Sequence, residues 1–211
     1  MTGDEKHAAS ADSTLDVLWV LYDRILNVTP ATVDDPNRDR FLLSKGHGPM
    51  AYYAVLAAKG FMPVEALATF RSYDSPLGGH PDRMLIGGVE ISSGSLGHGL
   101  PIGVGLALGL RVQERRARVV VLVGDAELEE GSNHEAIALA GRLGLHRLTV
   151  VVVDNGSSTH GWPGGIASRF EIEGWASATV DGRDHAGLEA VLRADQGDQP
   201  NVVVAVVEPG S

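Results

Sequence analysis

Two rhythms of apolar residues divide the chain. From Thr14 to Ile25 they return at helical spacing, at Leu15, Leu18, Trp19, Tyr22 and Ile25, behind Asp12 or Ser13 as a cap, which predicts a first helix. Asn27 to Arg40 is rich in Pro, Asp and Asn and predicts a loop, which leads through Phe41-Leu42-Leu43 into Ser44-Lys45-Gly46-His47-Gly48. A second helix is expected from about Pro49 to Lys59. Tyr73 to Ser95 is dense in Gly, Pro, Asp and Ser, and an irregular segment of that length inside a compact fold tends to carry function. Leu96 to Val112 is apolar but holds Gly97, Gly99, Gly103, Gly105 and Gly109. Glycine weakens a helix, so this pattern predicts a buried helix packed closely on another backbone.

The second half changes period. Val119 to Val123 is a continuous β-branched run, Glu135 to Leu143 is helical in spacing, and Leu148 to Val153 is a second β-branched run. Together they predict a βαβ unit. A helix near Ile166 to Glu173, a strand at Ala178-Thr179-Val180, a helix from His185 to Arg193 and a strand from Val202 to Val207 complete the alternation. This order predicts an α/β fold, a mostly parallel sheet with helices on both faces. With 211 residues, no internal repeat and no long linker, the expectation is one domain spanning 1–211.

Composition narrows the function. Hydrophobic residues at 44% and charged residues at 21% suit a folded globular chain. The 27 glycines against 5% aromatics tilt toward an α/β fold that binds a ligand. A net charge of −10, with scattered Lys and Arg, gives no footprint for nucleic acid or an anionic membrane, so neither partner is expected. The absence of cysteine excludes disulfides, thiolate metal sites and a Cys nucleophile. The polar start and the lack of a long apolar run set a cytoplasmic location as the expectation.

In a right-handed βαβ unit the loops leaving both strands lie side by side at one edge of the sheet. Gly124-Asp125 leaves the first strand and Asp154-Asn155 the second, which brings a carboxylate and an amide oxygen together where ligands usually bind. Hard oxygen donors of this kind suit Mg²⁺. On these two residues alone, Asp125 as a helix cap and Asn155 as a turn former explain the pattern equally well.

The flanking residues point further. Gly124-Asp125-Ala126-Glu127-Leu128-Glu129-Glu130-Gly131, with Asp154-Asn155 thirty residues after its opening, resembles the thiamine-diphosphate motif in its transketolase form, Gly-Asp-Gly-x-Leu-x-Glu-Gly. Arg38 to Gly48, Gly79-His80-Pro81, Gly88-Val89-Glu90 and Ser93 to Leu100 also resemble segments of the transketolase N-terminal domain, in the family's order and spacing. The resemblance implies a diphosphate-binding (PP-type) domain in which Asp125, Asn155 and the main-chain carbonyl of Ser157 hold Mg²⁺ or a similar divalent cation. It implies thiamine diphosphate contacts for Gly94, Leu96, Gly124, Asp125, Glu130, Asn155, His47 and His80, and catalytic roles for His80, His47 and, by spacing alone, His7. His98 stands where many relatives carry Gln, His146 and His185 are expected at the surface, and His160 has no assigned role.

Two departures matter. Ala126 replaces the last Gly of Gly-Asp-Gly, which costs about 1 kcal/mol or more if the position needs positive φ. The last strand runs into Glu208-Pro209-Gly210-Ser211, where the family continues with a Lys-Gly-x-Gly loop and a later histidine. Nothing in the chain resembles the family's pyrimidine-binding domain, which supplies the carboxylate that activates the cofactor. The resemblance therefore implies a partner, a C-terminal transketolase subunit carrying that domain and its carboxylate, in an α2β2 assembly with the cofactor between chains. The expected activity is transfer of a two-carbon ketol unit from a ketose-type donor to an aldehyde acceptor. The alternatives are a 2-oxo acid decarboxylase or dehydrogenase E1-type component, and a noncatalytic degenerate partner subunit. Reading Gly103 to Gly109 as a dinucleotide-binding loop fails, because these glycines fall inside an apolar helical stretch rather than in a strand-to-helix turn.

Overall fold

The computed structural model describes residues 8–195 and 197–208. Five strands form one wholly parallel sheet in the order β1-β2-β3-β5-β4. They are β1 (Arg40–Leu43), β2 (Val119–Gly124), β3 (Leu148–Asp154), β4 (Ala176–Asp181) and β5 (Asn201–Val206). Six helices accompany them: α1 (Ala8–Val20), α2 (Met50–Ala58), α3 (Gly99–Val112), α4 (Gly131–Arg142), α5 (Ile166–Glu171) and α6 (His185–Arg193).

The central strands β2, β3 and β5 are runs of Val, Leu and Ala because both faces of the sheet are covered. Val120, Leu122, Val151, Val153, Val203 and Ala205 join one core with α1, α2 and α6. The alternate positions Val119, Val121, Val123, Val150, Val152, Val202 and Val204 join a second core with α3, α4 and α5. Adjacent side chains thus serve opposite layers, the period-two rule of a strand.

Several boundaries differ from the sequence pattern, each for a local reason. The first helix begins at Ala8, before Thr14, and its last turn, Leu21–Ile25, winds as a π-helix. The run Phe41-Leu42-Leu43 is the edge strand β1, too short for period alone to separate from its loop. Helix α3 starts at Gly99 rather than Leu96 because Gly97 turns with φ 81°. Helix α4 starts four residues before the expected Glu135. β4 is longer than Ala178 to Val180, since its extra residues are defined by pairing with β5 rather than by hydrophobicity.

The glycines of α3 divide into two kinds. A Cβ on Gly103 would lie 2.5 Å from Val121 Cγ2, so the helix meets the sheet closely there. Gly105 and Gly109 have nothing within 4 Å of a Cβ, and the expected tight packing does not extend to them within this chain. Among the described residues no helix is long and apolar enough to cross a membrane.

Candidate active site

The parallel sheet collects the loops after β1, β2 and β3 at one edge. Leu43 pairs with Leu122 and Gly124 with Val153, so the strands end together. Ser44 N and Lys45 N both donate to Leu122 O, at 2.9 and 3.2 Å, and Asp125 N donates to Val153 O at 3.2 Å.

Asp125 emerges from β2 almost fully buried, 1% exposed. Its carboxylate accepts from Ser157 Oγ at 2.5 Å and from Ser158 N at 2.8 Å, both on the loop after β3. Asn155, on the same loop, donates through Nδ2 to Ser13 Oγ at 3.4 Å, while its Oδ1 is buried with no hydrogen-bond partner. A buried acceptor without a donor carries a desolvation cost unless something else supplies the positive end. A divalent cation between Asp125 and Asn155 would supply it. Among the described residues no three His, Cys, Asp or Glu converge on one point, so such an ion would take one carboxylate, neutral oxygens, and the oxygens of a ligand and water. That is the habit of Mg²⁺ at a phosphate site.

Lys45 and Glu127 complete this end of the site, and the sequence pattern gave neither a role. Lys45 is 9% exposed and its Nζ donates to Ser13 Oγ at 3.1 Å. Burial pushes its ammonium down to about 8, against the opposing attraction of the Asp125 and Glu127 carboxylates. Glu127 is 1% exposed and accepts from Ser44 Oγ, from Gly97 N at 3.1 Å and from Gly124 N at 3.3 Å. Burial raises its carboxyl, while these donors and Lys45 pull it back. One buried carboxylate therefore ties together the loop after β1, the entry to α3 and the end of β2. The Ser-Lys-Gly-His segment was visible as a motif, but only the packing shows what its Ser and Lys face.

Ala126 sits at φ −67° and ψ −33°, in the right-handed helical region. The departure from Gly-Asp-Gly therefore carries no backbone strain.

The histidine end lies across the Ser44–His47 loop. The His47 and His80 rings are 5.2 Å apart at 83°, and both line a cavity of about 280 Å³ with Pro49, Met50, Phe70 and Arg71. Gly94, at φ 133°, lies against the His80 ring, which a Cβ would approach to 2.5 Å. Gly46 lies against Gly94 in turn. A Cβ on Gly46 would stand 2.6 Å from the main-chain Gly94 N, which cannot swing aside. Gly46→Ala is therefore expected to destabilise the fold by about 1–3 kcal/mol, the usual cost of overpacking. A thermal melt of the variant checks this, and an unchanged midpoint would show that the two loops are free to separate.

The remaining expected residues are less central. Leu96 is half-buried before α3, and Glu130 is exposed at the N-cap of α4, against Gly97. His7 lies outside the described residues, although Ser10 Oγ donates to His47 O at 3.1 Å and ties the start of α1 to the histidine loop. His98 and His146 are exposed. His185 bonds Asp16 at 2.7 Å.

The family model for the transketolase thiamine diphosphate binding domain matches residues 3–207. This chain belongs to the transketolase family. It is 61% identical over 208 residues to Ferredoxin fas2 of Rhodococcoides fascians, covering 98% of this chain and 68% of that protein. It is 35% identical over 212 residues to an apulose-4-phosphate transketolase subunit of Actinobacillus succinogenes, covering 97% of this chain and 77% of the other. The crystal structure of transketolase from Campylobacter jejuni superposes with a TM-score of 0.81 at 26% identity, over 94% of this chain and 35% of that one. The chain thus spans about a third of a long transketolase and most of a subunit-sized relative. The parallel α/β sheet and the thiamine-diphosphate-dependent, transketolase-type assignment expected from the sequence agree with these likenesses.

Proposed function

We propose that this chain is the diphosphate-binding subunit of a two-component transketolase, transferring a two-carbon ketol unit from a ketose-type donor to an aldehyde acceptor. The observation that carries the proposal is the buried Asp125 carboxylate beside the unpartnered Oδ1 of Asn155 at the ends of β2 and β3. Asp125, Asn155 and the carbonyl of Ser157 would hold Mg²⁺, with Gly94, Leu96, Gly124 and Glu130 beside thiamine diphosphate. When bound, the cofactor supplies a carbanion that adds to a carbonyl and carries the two-carbon fragment.

The chain's own groups bind, neutralise and move protons. Lys45, buried beside Asp125 and Glu127, offsets their negative charge where a diphosphate would lie. His47 and His80, facing one another on the cavity, are placed to exchange protons with donor and acceptor hydroxyls near neutral pH. His7 is assigned to the same group on sequence spacing alone.

The proposal places the pyrimidine-binding domain and its carboxylate on a separate chain, in an α2β2 assembly in the cytoplasm, with residues 1–211 as one PP-type domain. The Actinobacillus succinogenes relative is named as one subunit of its transketolase, which supports a partner chain here. A second reading, a 2-oxo acid E1-type component that passes electrons onward, draws support from the ferredoxin name of the Rhodococcoides fascians relative. Iron–sulfur clusters are held by cysteine thiolates, and this chain has no cysteine, so any such centre would lie outside it. Parallel assays of the assembled enzyme decide between the two: ketose phosphate with an aldose acceptor against pyruvate with an electron acceptor. Turnover only in the second assay would overturn the transketolase reading.

His80→Ala is expected to leave cofactor affinity nearly unchanged and to lower ketol transfer by roughly 10²-fold, the scale of a lost proton-transfer group. If turnover stays within about a factor of two, His80 has only a packing role against Gly94.

A further inference from the structure

The loop that carries Asn155 and Ser157 has little to hold it. From Gly156 to Gly161 it forms no helix or strand, contributes nothing to either apolar core and is largely exposed. Its shape comes from hydrogen bonds, and half of those its residues donate end on Glu129. Glu129 lies in the short 3-10 turn after β2 and reaches across to the loop after β3. Its Oε1 accepts from Ser158 Oγ at 2.6 Å, Thr159 N at 2.9 Å and His160 N at 3.0 Å, and its Oε2 accepts from Thr159 Oγ1 at 3.2 Å. Ser158 Oγ in turn accepts from Gly161 N at 3.2 Å. Every amide from Ser158 to Gly161 thus has a partner, the first being Asp125.

The geometry points to Glu129 as a positioning residue that preforms the metal-binding loop and thereby sets cofactor affinity. It rests on the reading of Asp125, Asn155 and Ser157 as metal ligands. A cation would draw on the Asp125 carboxylate that otherwise receives Ser157 Oγ and Ser158 N, whereas Glu129 grips Ser158, Thr159 and His160. The loop would then keep its place if Asp125 were drawn to a metal. Preformed ligands bind more tightly because less ordering is left to binding. The Ser158 hydroxyl first, then the His160 amide, hold the Glu129 carboxyl well below its usual range, at about 2, so the clasp is charged throughout the neutral range. The motif Gly-Asp-Gly-x-Leu-x-Glu-Gly leaves this position open, with Glu129 at the second x, so the family resemblance assigns it nothing. The neighbouring Glu130, which the motif does specify, is exposed at the head of α4.

The test compares Glu129→Ala, Glu129→Gln and Glu129→Asp with the parent. Amide hydrogen exchange on the full chain without cofactor should quicken at Thr159 and His160 by about tenfold or more in Glu129→Ala, with β2 and β3 unchanged, because only the local opening becomes easier. Glu129→Gln should fall between, since its amide oxygen still accepts but carries no charge, and Glu129→Asp should resemble Ala because its shorter side chain does not reach. In calorimetric titrations of the assembled enzyme with thiamine diphosphate at constant Mg²⁺, Glu129→Ala should weaken binding by roughly 10–100-fold, the range for groups that orient metal ligands. At saturating cofactor kcat should be preserved. Unchanged exchange would show that the clasp does not hold the loop. Faster exchange with unchanged affinity would show that the loop's order does not serve the metal. If instead the parent enzyme binds thiamine diphosphate equally well with and without Mg²⁺, the functional reading fails while the exchange result still judges the clasp.

Discussion

Asp125→Ala is expected to abolish Mg²⁺-dependent cofactor binding in the assembled enzyme. Asp125 is the one anionic protein group proposed to touch the cation, and it sits 1% exposed, where no bulk water can take over its charge. Loss of a group that merely supports a metal ligand costs roughly 10–100-fold in affinity, and loss of the charged ligand itself should exceed that. The substitution also leaves the buried Lys45 ammonium with Glu127 as its only nearby counter-charge among the described residues. Asp125→Asn separates folding from binding. Its Oδ1 can still accept from Ser157 Oγ, so the chain should fold, yet the anionic ligand is gone. Calorimetry with thiamine diphosphate and Mg²⁺ reads both variants, and cofactor affinity like that of the parent in either one would sink the metal assignment.

Much of this site was legible from strand order alone. Gly124-Asp125 and Asp154-Asn155 each follow a β-branched run, and parallel strands must bring their trailing loops together, as the bonds from Ser157 and Ser158 to Asp125 show. The pairing of His47 with His80 was not derivable from pattern. It depends on an irregular segment, Tyr73 to Ser95, whose path follows from contacts such as Gly46 on Gly94 rather than from periodicity. Glu127 and Glu129 illustrate the same limit at close range. They stand in a run of acidic residues that looks like a solvated face, yet Glu127 is buried on Ser44, Gly97 and Gly124 while Glu129 grips the next loop. Which carboxylate points inward is decided by the 3-10 turn at Glu127–Glu129, and short turns leave no periodic trace in a sequence. The concern over Ala126 was also a matter of backbone geometry, and only its φ of −67° removes it.

The second large effect concerns the chain on its own. Thiamine catalysis needs a carboxylate at the pyrimidine ring, which the proposed function assigns to a partner chain. In the proposed function, the edge of the sheet that carries Asp125 and the cavity lined by His47 and His80 would supply the diphosphate and substrate sides of a site. A cofactor enclosed between two chains would bind their complex better than either chain, and so should tighten assembly by mass action.

The most direct measurement is a ketol-transfer assay on the purified chain with Mg²⁺ and thiamine diphosphate, run alone and again with a chain carrying the pyrimidine-binding domain, with sedimentation of both mixtures. The account predicts no turnover from the chain alone, turnover on mixing, and a complex that grows with added cofactor. Robust turnover by the chain alone, or a complex that forms and binds cofactor yet transfers no ketol unit, would contradict it.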